Sequence, residues 1–318
     1  TGKARSLELS SDVLDFSING RWNFNDFAEV GLHVFQDIIV QKPISWPQSQ
    51  FKFDIQAGNV GWIADLAHLD LELSEDTHIF GKYNDKQRIW STTMFVPSVR
   101  FEGVEVRNMM LASSQTELVH NTTFKADQLN YSDWQVSRLN LNSNGQNLQK
   151  NISFQGTIED SIPSEFVLSG TLNRGVAMLS SLSFNIGESQ FTLKDQAQLK
   201  WQSDLLDVDS LVLAGEDGVL TLAGELLASE QPKLNFFVNA LDSKVLNYML
   251  RSPDAVLSGK LNSTVTLTNS LDKPNLSAQL LYKDFGLNGY EYGKFTANAR
   301  LKNLQDLSMR GQLRQGSR

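Results

Sequence analysis

Apolar and polar residues alternate with period two along most of this chain. The clearest run covers residues 257–268, where Leu257, Leu261, Val265 and Leu267 fall on one side. Ser258, Lys260, Asn262, Thr264, Thr266 and Thr268 fall on the other. Phe295, Ala297, Ala299 and Leu301 alternate with Thr296, Asn298, Arg300 and Lys302, and Leu69, Leu71 and Leu73 with Asp70, Glu72 and Ser74. Similar runs carry Phe51, Phe53 and Ile55; Phe166, Leu168 and Leu172; Leu234, Phe236 and Val238; and Leu307, Met309 and Leu313. Successive side chains of a strand point to opposite faces. Each run therefore predicts a strand wetted on one face and apolar on the other, as in antiparallel sheets.

The segments between runs predict hairpins. Asp217-Gly218, Asn144-Gly145, Asn288-Gly289 and the stretch Ile186 to Ser189 hold residues that accept positive φ, and Leu271 to Asn275 turns around a proline. Strands followed directly by strands exclude a βαβ architecture. A unit of apolar residue, spacer, glycine, spacer and apolar residue recurs at Gly156, Gly170, Gly224, Gly259 and Gly311. It predicts bulges or a curved sheet, or room for a neighbouring chain or ligand. Helices are few. Asp26 to Val40 places Phe27, Val30, Val34, Phe35 and Ile38 on one face, with Asp26 and Glu29 as a capping box and Pro43 beyond its end. A shorter helix is expected over Ser243 to Leu250, capped by Asp242 and closed by Ser252-Pro253, and a third near Gly61 to Leu66. The expectation is one elongated, mainly β unit over residues 1–318, with a sub-boundary placed near residue 160.

Composition narrows the chemistry. The 318 residues include no cysteine, which excludes a disulfide scaffold, a thiol nucleophile and a cysteine zinc site. The formal charge of −8 argues against nucleic acid as a partner. No stretch approaches the roughly 18–20 apolar residues of a membrane helix. Thr1-Gly2-Lys3-Ala4-Arg5-Ser6 is followed by no apolar run, and the end reads like a strand cut short, so the chain is expected to be a segment of a longer protein.

Four histidines occur. His33 falls on the polar side of the first helix, His68 shares a face with Asp70 and Glu72, His78 follows Glu75 and Asp76, and His120 has no acidic neighbour. Imidazole and carboxylate on one face suit zinc or manganese, yet the polar face of any half-exposed strand has this composition. Asp204, Asp207 and Asp209 read as a solvated edge, and the matches to the glycosylation acceptor at Asn121, Asn151, Asn262 and Asn275 arise readily in so serine- and asparagine-rich a chain. No nucleophile elbow, P-loop or dinucleotide fingerprint is present. The reading is of a non-enzyme without metal or cofactor.

The alternating runs, with the segment from Leu257 through Lys273-Pro274-Asn275 to Leu280, resemble the TamB family within the AsmA-like superfamily. Its members repeat a leucine-x-glycine strand, an Asp/Asn-x-Pro turn and a second strand. Residues 280–301 continue the pattern. Ser6 to Gly20 followed by the 26–40 helix, Ile162 to Phe166 and the 241–250 helix resemble a Bacteroidetes branch. The resemblance implies a protein anchored in the inner membrane of a Gram-negative bacterium and spanning the periplasm. It implies a long antiparallel sheet curled into an open groove, apolar inside, along which phospholipid acyl chains move toward the outer membrane. It also implies an Omp85-class partner bound through a region outside this segment.

Read from the residues alone, a one-faced sheet must cover its apolar side with a second sheet, helices, itself or a ligand. Phe166, Leu168, Leu234, Phe236, Val238, Leu257, Leu261, Val265, Leu267, Leu276, Leu280, Phe295 and Leu301 are the residues expected on that side. They line a lipid groove in one reading. In the other they fill the closed core of a structural or adhesive β-sandwich or stalk.

Overall fold

The computed structural model describes residues 4–23, 48–58, 71–117, 119–132, 134–146, 149–159, 162–173, 175–202, 205–227, 233–252, 254–268, 275–302 and 306–314. Over these residues the chain is mainly β, with 21 strands in an antiparallel sheet and one short helix. Two or three helices were expected from the sequence. Only that at Ser243–Leu250 falls among the described residues, and those expected at 26–40 and 61–66 lie outside them. The chain divides into two compact units, one formed by Thr1–Ser161 with Leu172–Arg174, the other by Ile162–Thr171 with Gly175–Arg318.

The first unit is a meander of β1 (Arg5–Leu9), β2 (Leu14–Arg21), β3 (Gln50–Ala57), β4 (Leu71–Leu73), β5 (Thr77–Asn84), β6 (Ile89–Phe101), β7 (Val104–Gln115), β8 (Val119–Tyr131), β9 (Trp134–Gln146) and β10 (Gln149–Glu159). β4 and β5 pair with successive parts of β6. Alternation sets the faces: Ile18 opposes Phe53 and Leu7, while Asn19 opposes Lys52 and Ser6. The core gathers Ile18, Trp22, Phe51, Tyr83 and Trp90, with Phe51 and Tyr83 stacked at 5.4 Å between ring centroids. Gly20 makes this possible. It lies opposite Phe51 at φ 145°, and a Cβ there would come within 2.0 Å of the Gln50 carbonyl oxygen.

Further along, the same face turns polar at one end. Thr92, Ser113, Thr122 and Ser143 lie side by side across four strands, each at most 9% exposed. Ser113 Oγ and Thr122 Oγ1 are 2.7 Å apart, as are Thr122 Oγ1 and His120 Nε2. One step along the strands the row is Met94, Leu111, Phe124, Leu141 and Phe154. The Ser113–Thr122 bond across strands, and that from Thr92 Oγ1 to the Phe80 carbonyl, offset the cost of leaving water.

The second unit contains β11 (Ser164–Asn173), β12 (Val176–Ile186), β13 (Ser189–Leu193), β14 (Ala197–Gln202), β15 (Leu205–Gly215), β16 (Gly218–Leu227), β17 (Lys233–Asp242), α1 (Ser243–Leu250), β18 (Leu257–Thr268), β19 (Asn275–Leu287), β20 (Tyr290–Lys302) and β21 (Asp306–Arg314). β13 and β14 together occupy one position between β12 and β15. From β15 onward each strand pairs with the next in sequence. The turns at Asp217-Gly218, Gly187 and Asn288-Gly289 lie where the sequence placed them. Asn144-Gly145 instead continues β9, paired with Asn121 and His120 on one side and Asn151 and Lys150 on the other.

Candidate functional site

The apolar positions of the second unit form a grid. One row runs Val208, Gly224, Leu234, Leu267, Leu276, Leu301 and Leu307 across seven strands, each residue directly opposite the next. The next row runs Leu211, Leu222, Phe236, Val265, Ala278, Ala299 and Met309. A third runs Leu213, Leu220, Val238, Ser263, Leu280, Ala297 and Gly311, and a fourth Leu241, Leu261, Tyr282, Phe295 and Leu313. At about 4.8 Å per strand, six interstrand steps make a face about 29 Å wide.

Ten of the thirteen residues expected from the sequence therefore share one face: Leu234, Phe236, Val238, Leu261, Val265, Leu267, Leu276, Leu280, Phe295 and Leu301. Leu257 pairs with Leu287 beyond a bulge, and Phe166 and Leu168 lie on β11, outside the grid. Ala297 and Ala299, read from the sequence as apolar-side residues beside Phe295 and Leu301, join the grid too, whereas Tyr282, Leu222 and Ala278 were not among the expected residues. The alternation that exposed their neighbours would have found them.

Ser263 is the one polar side chain among the grid positions away from Tyr282. It is buried, and its Oγ has no hydrogen-bond partner among the described residues. Burial is uneven. Ala297, Tyr282, Leu241 and Val238 are buried, whereas Phe236 is 37% exposed and Met309 on the last strand 64% exposed.

α1 covers the end of the face that holds Val238, Leu241 and Tyr282, while Val208, in the first row, is buried as well. Asp242 has extended dihedrals and its carboxylate accepts the Lys244 N–H at 3.0 Å, capping the helix. Arg251, at φ 49°, closes it in the left-handed region. Val245 and Leu246 pack with Phe191, Leu213, Leu220, Val238, Leu241 and Leu261. Ser243 Oγ donates to the Gly259 carbonyl at 2.6 Å and lies 2.6 Å from the Tyr282 hydroxyl. Asn247 brackets Leu257, donating to its carbonyl and accepting its N–H, both at 2.8 Å. Tyr248 donates to the Ile162 carbonyl at 3.0 Å, and its ring fills the space where a Cβ on Gly187 would fall, 2.9 Å away.

α1 thus touches β12 on one side and β17 and β18 on the other. In a flat sheet, β12 and β18 stand five strand steps apart, about 24 Å. A helix is about 10 Å across, so the sheet of this unit curls around it. Bulges provide the bend. Register shifts fall between Val238 and Leu241, Ser258 and Lys260, and Tyr282 and Phe285, all beside the helix.

The ionisable groups here serve the helix seat. Burial pushes the Tyr282 hydroxyl pKa upward, partly opposed by its bond to Ser243. Asp217, in the β15–β16 turn, is held below the usual carboxylate range by hydrogen bonds from Lys244, at 2.8 Å, and Ser189. The pairing raises Lys244 in turn.

Of His68 and His78, the two histidines weighed as metal ligands and read as solvated strand residues, only His78 is described. His78 Nε2 lies 3.1 Å from both Asp54 oxygens rather than against Glu75 or Asp76, and His33 and His68 fall outside the described residues. Among the described residues no three metal-ligating side chains converge. Asp207 pairs with Lys200 at 3.0 Å. No described helix is long and apolar enough to cross a membrane. No protein-family model, curated protein or solved structure matches this chain.

Proposed function

We propose that the apolar face of the second unit holds phospholipid acyl chains. The chain would then act as a lipid-conduit segment of the TamB type, in a protein anchored to the inner membrane of a Gram-negative bacterium and spanning its periplasm. Phospholipids would pass between the two membranes for outer-membrane assembly, and an Omp85-class partner would bind through a region outside this segment. The observation that carries this reading is the grid itself: four adjacent apolar rows that run from buried positions beside α1 to exposed ones at Leu307, Met309 and Leu313 on β21. Acyl chains gain about 0.8 kcal/mol per buried CH₂, so half-burying ten of them yields about 4 kcal/mol. The interaction needs no catalytic group and leaves the head group in water.

The test is a photo-crosslinking residue at Val265, with Thr266 on the opposite face as control, in the chain expressed in a Gram-negative periplasm. Lipid adducts at position 265 and none at 266 are expected. Adducts at neither position, or equally at both, refute the reading and leave the structural or stalk role.

A further inference from the structure

Away from the apolar grid, the polar face of the first unit carries a group of cations without acidic partners among the described residues. Lys52 on β3 lies directly opposite Lys82 on β5, with Asn19 and Ser91 at either end of that row. The next row holds Arg21, Gln50, Asn84 and Ile89. All of these residues but Ser91 line a concavity of about 600 Å³, floored by Gly20, Phe51 and Tyr83. Arg21 Nη2 donates to Gln50 Oε1 at 3.0 Å, which turns the guanidinium along the cleft wall. Asn84 and Gln87, on its rim, are tied together at 3.0 Å.

Like charges directly opposite one another in an antiparallel pair, their Cβ atoms about 4.5–5.5 Å apart, destabilise a sheet. Here no described carboxylate forms an ion pair with Lys52 or Lys82. Asp54, two residues along the same face of β3, is engaged by His78. The arrangement does not follow from general basicity, since the chain carries eight more acidic than basic residues.

We propose that this cleft binds a phosphate-bearing anion, bridged between Lys52 and Lys82 and flanked by Arg21. A phosphate group carries up to two charges and several acceptor oxygens, enough for two ammonium groups and a planar guanidinium fork together. A carboxylate has one charge and two oxygens for the same three cations. The site is independent of the acyl-binding reading, being on another unit and on the polar face.

Titration of the whole chain with inorganic phosphate, followed by ³¹P NMR at constant ionic strength, tests it. Saturable binding is expected, weakened at least tenfold in K52Q/K82Q and abolished in K82E, where a cross-strand ion pair replaces the repulsion. K82E should also melt above the native chain in phosphate-free buffer. Flotation with vesicles of phosphatidic acid, against phosphatidylcholine alone, separates the sources. Phosphate binding without flotation supports a soluble phosphate ester, and Lys52- and Lys82-dependent flotation supports a lipid head group. Absence of both, or binding that K52Q/K82Q leaves intact, overturns the proposal.

Discussion

Among the contacts that seat α1, one hydroxyl joins the helix to two strands at once. Ser243 is 2% exposed and Tyr282 5% exposed, and the serine both donates to the Gly259 carbonyl and accepts from the tyrosine. Tyr282→Phe removes one such bond while Ser243 keeps its other partner, at a cost of about 0.5–1.5 kcal/mol. Ser243→Ala is worse, because it orphans the buried Tyr282 hydroxyl and the part-buried Gly259 carbonyl, each costing about 1–3 kcal/mol. In the double variant the tyrosine hydroxyl no longer exists to be orphaned, so the two costs should fall short of their sum. Hydrogen exchange of the α1 amides reads this directly as local opening. We expect protection to drop up to about tenfold in Y282F and about thirty-fold or more in S243A, with a coupling of at least about 0.5 kcal/mol in the double. S243A exchanging no faster than Y282F, or strict additivity, would refute the hydrogen-bond account of how the helix is held.

Three further outcomes follow from the same region. Gly259 sits at φ 107°, and a Cβ there would lie 2.4 Å from the carbonyl oxygens of both Lys283 and Asp284. G259A should therefore lose about 1–3 kcal/mol by thermal unfolding, and more than G311A, where the Cβ comes no nearer than 3.2 Å, to the Phe295 ring. S263A removes a buried hydroxyl with no described partner and should stabilise the chain by about 1 kcal/mol; a lower melting temperature contradicts this. Because the folded-state pKa of Tyr282 lies above its ordinary 10.0, the folded chain holds that proton longer than the unfolded one. Stability should fall as pH rises above about 10, and Y282F should show less of that loss in alkaline unfolding curves.

Much of the sheet was legible because period-two alternation is a local signal. In β18, Leu261, Val265 and Leu267 announce their face without reference to any other strand, and Asp242 announces the start of α1 by its capping chemistry. Where a bulge intervenes, parity within one strand stops being a guide. Leu241 joins the apolar face only because the register shifts after Val238. Asn144-Gly145 carries turn residues yet continues a strand, since its partners on both sides extend past it. The buried row of Thr92, Ser113, Thr122 and Ser143 was illegible for a different reason. Each hydroxyl residue, taken singly, has the composition of a wetted face, and the partners that make burial tolerable for Thr92, Ser113 and Thr122 lie on neighbouring strands.

The neighbour-to-neighbour pairing of β15 through β21 also bears on how this unit is made. Each hairpin closes a loop of a few residues, and even the one that contains α1 bridges only residues 243–256. Because loop-closure entropy grows with the logarithm of length, that insertion adds little to the barrier. The strands of a β-sandwich must wait for remote partners, whereas these meet theirs almost as soon as they exist, which lowers the contact order. Formation can then advance hairpin by hairpin along a growing edge, with stability accumulating between nearest neighbours as it does in repeat proteins. A hairpin added to or removed from such a series leaves the folding problem of the others unchanged.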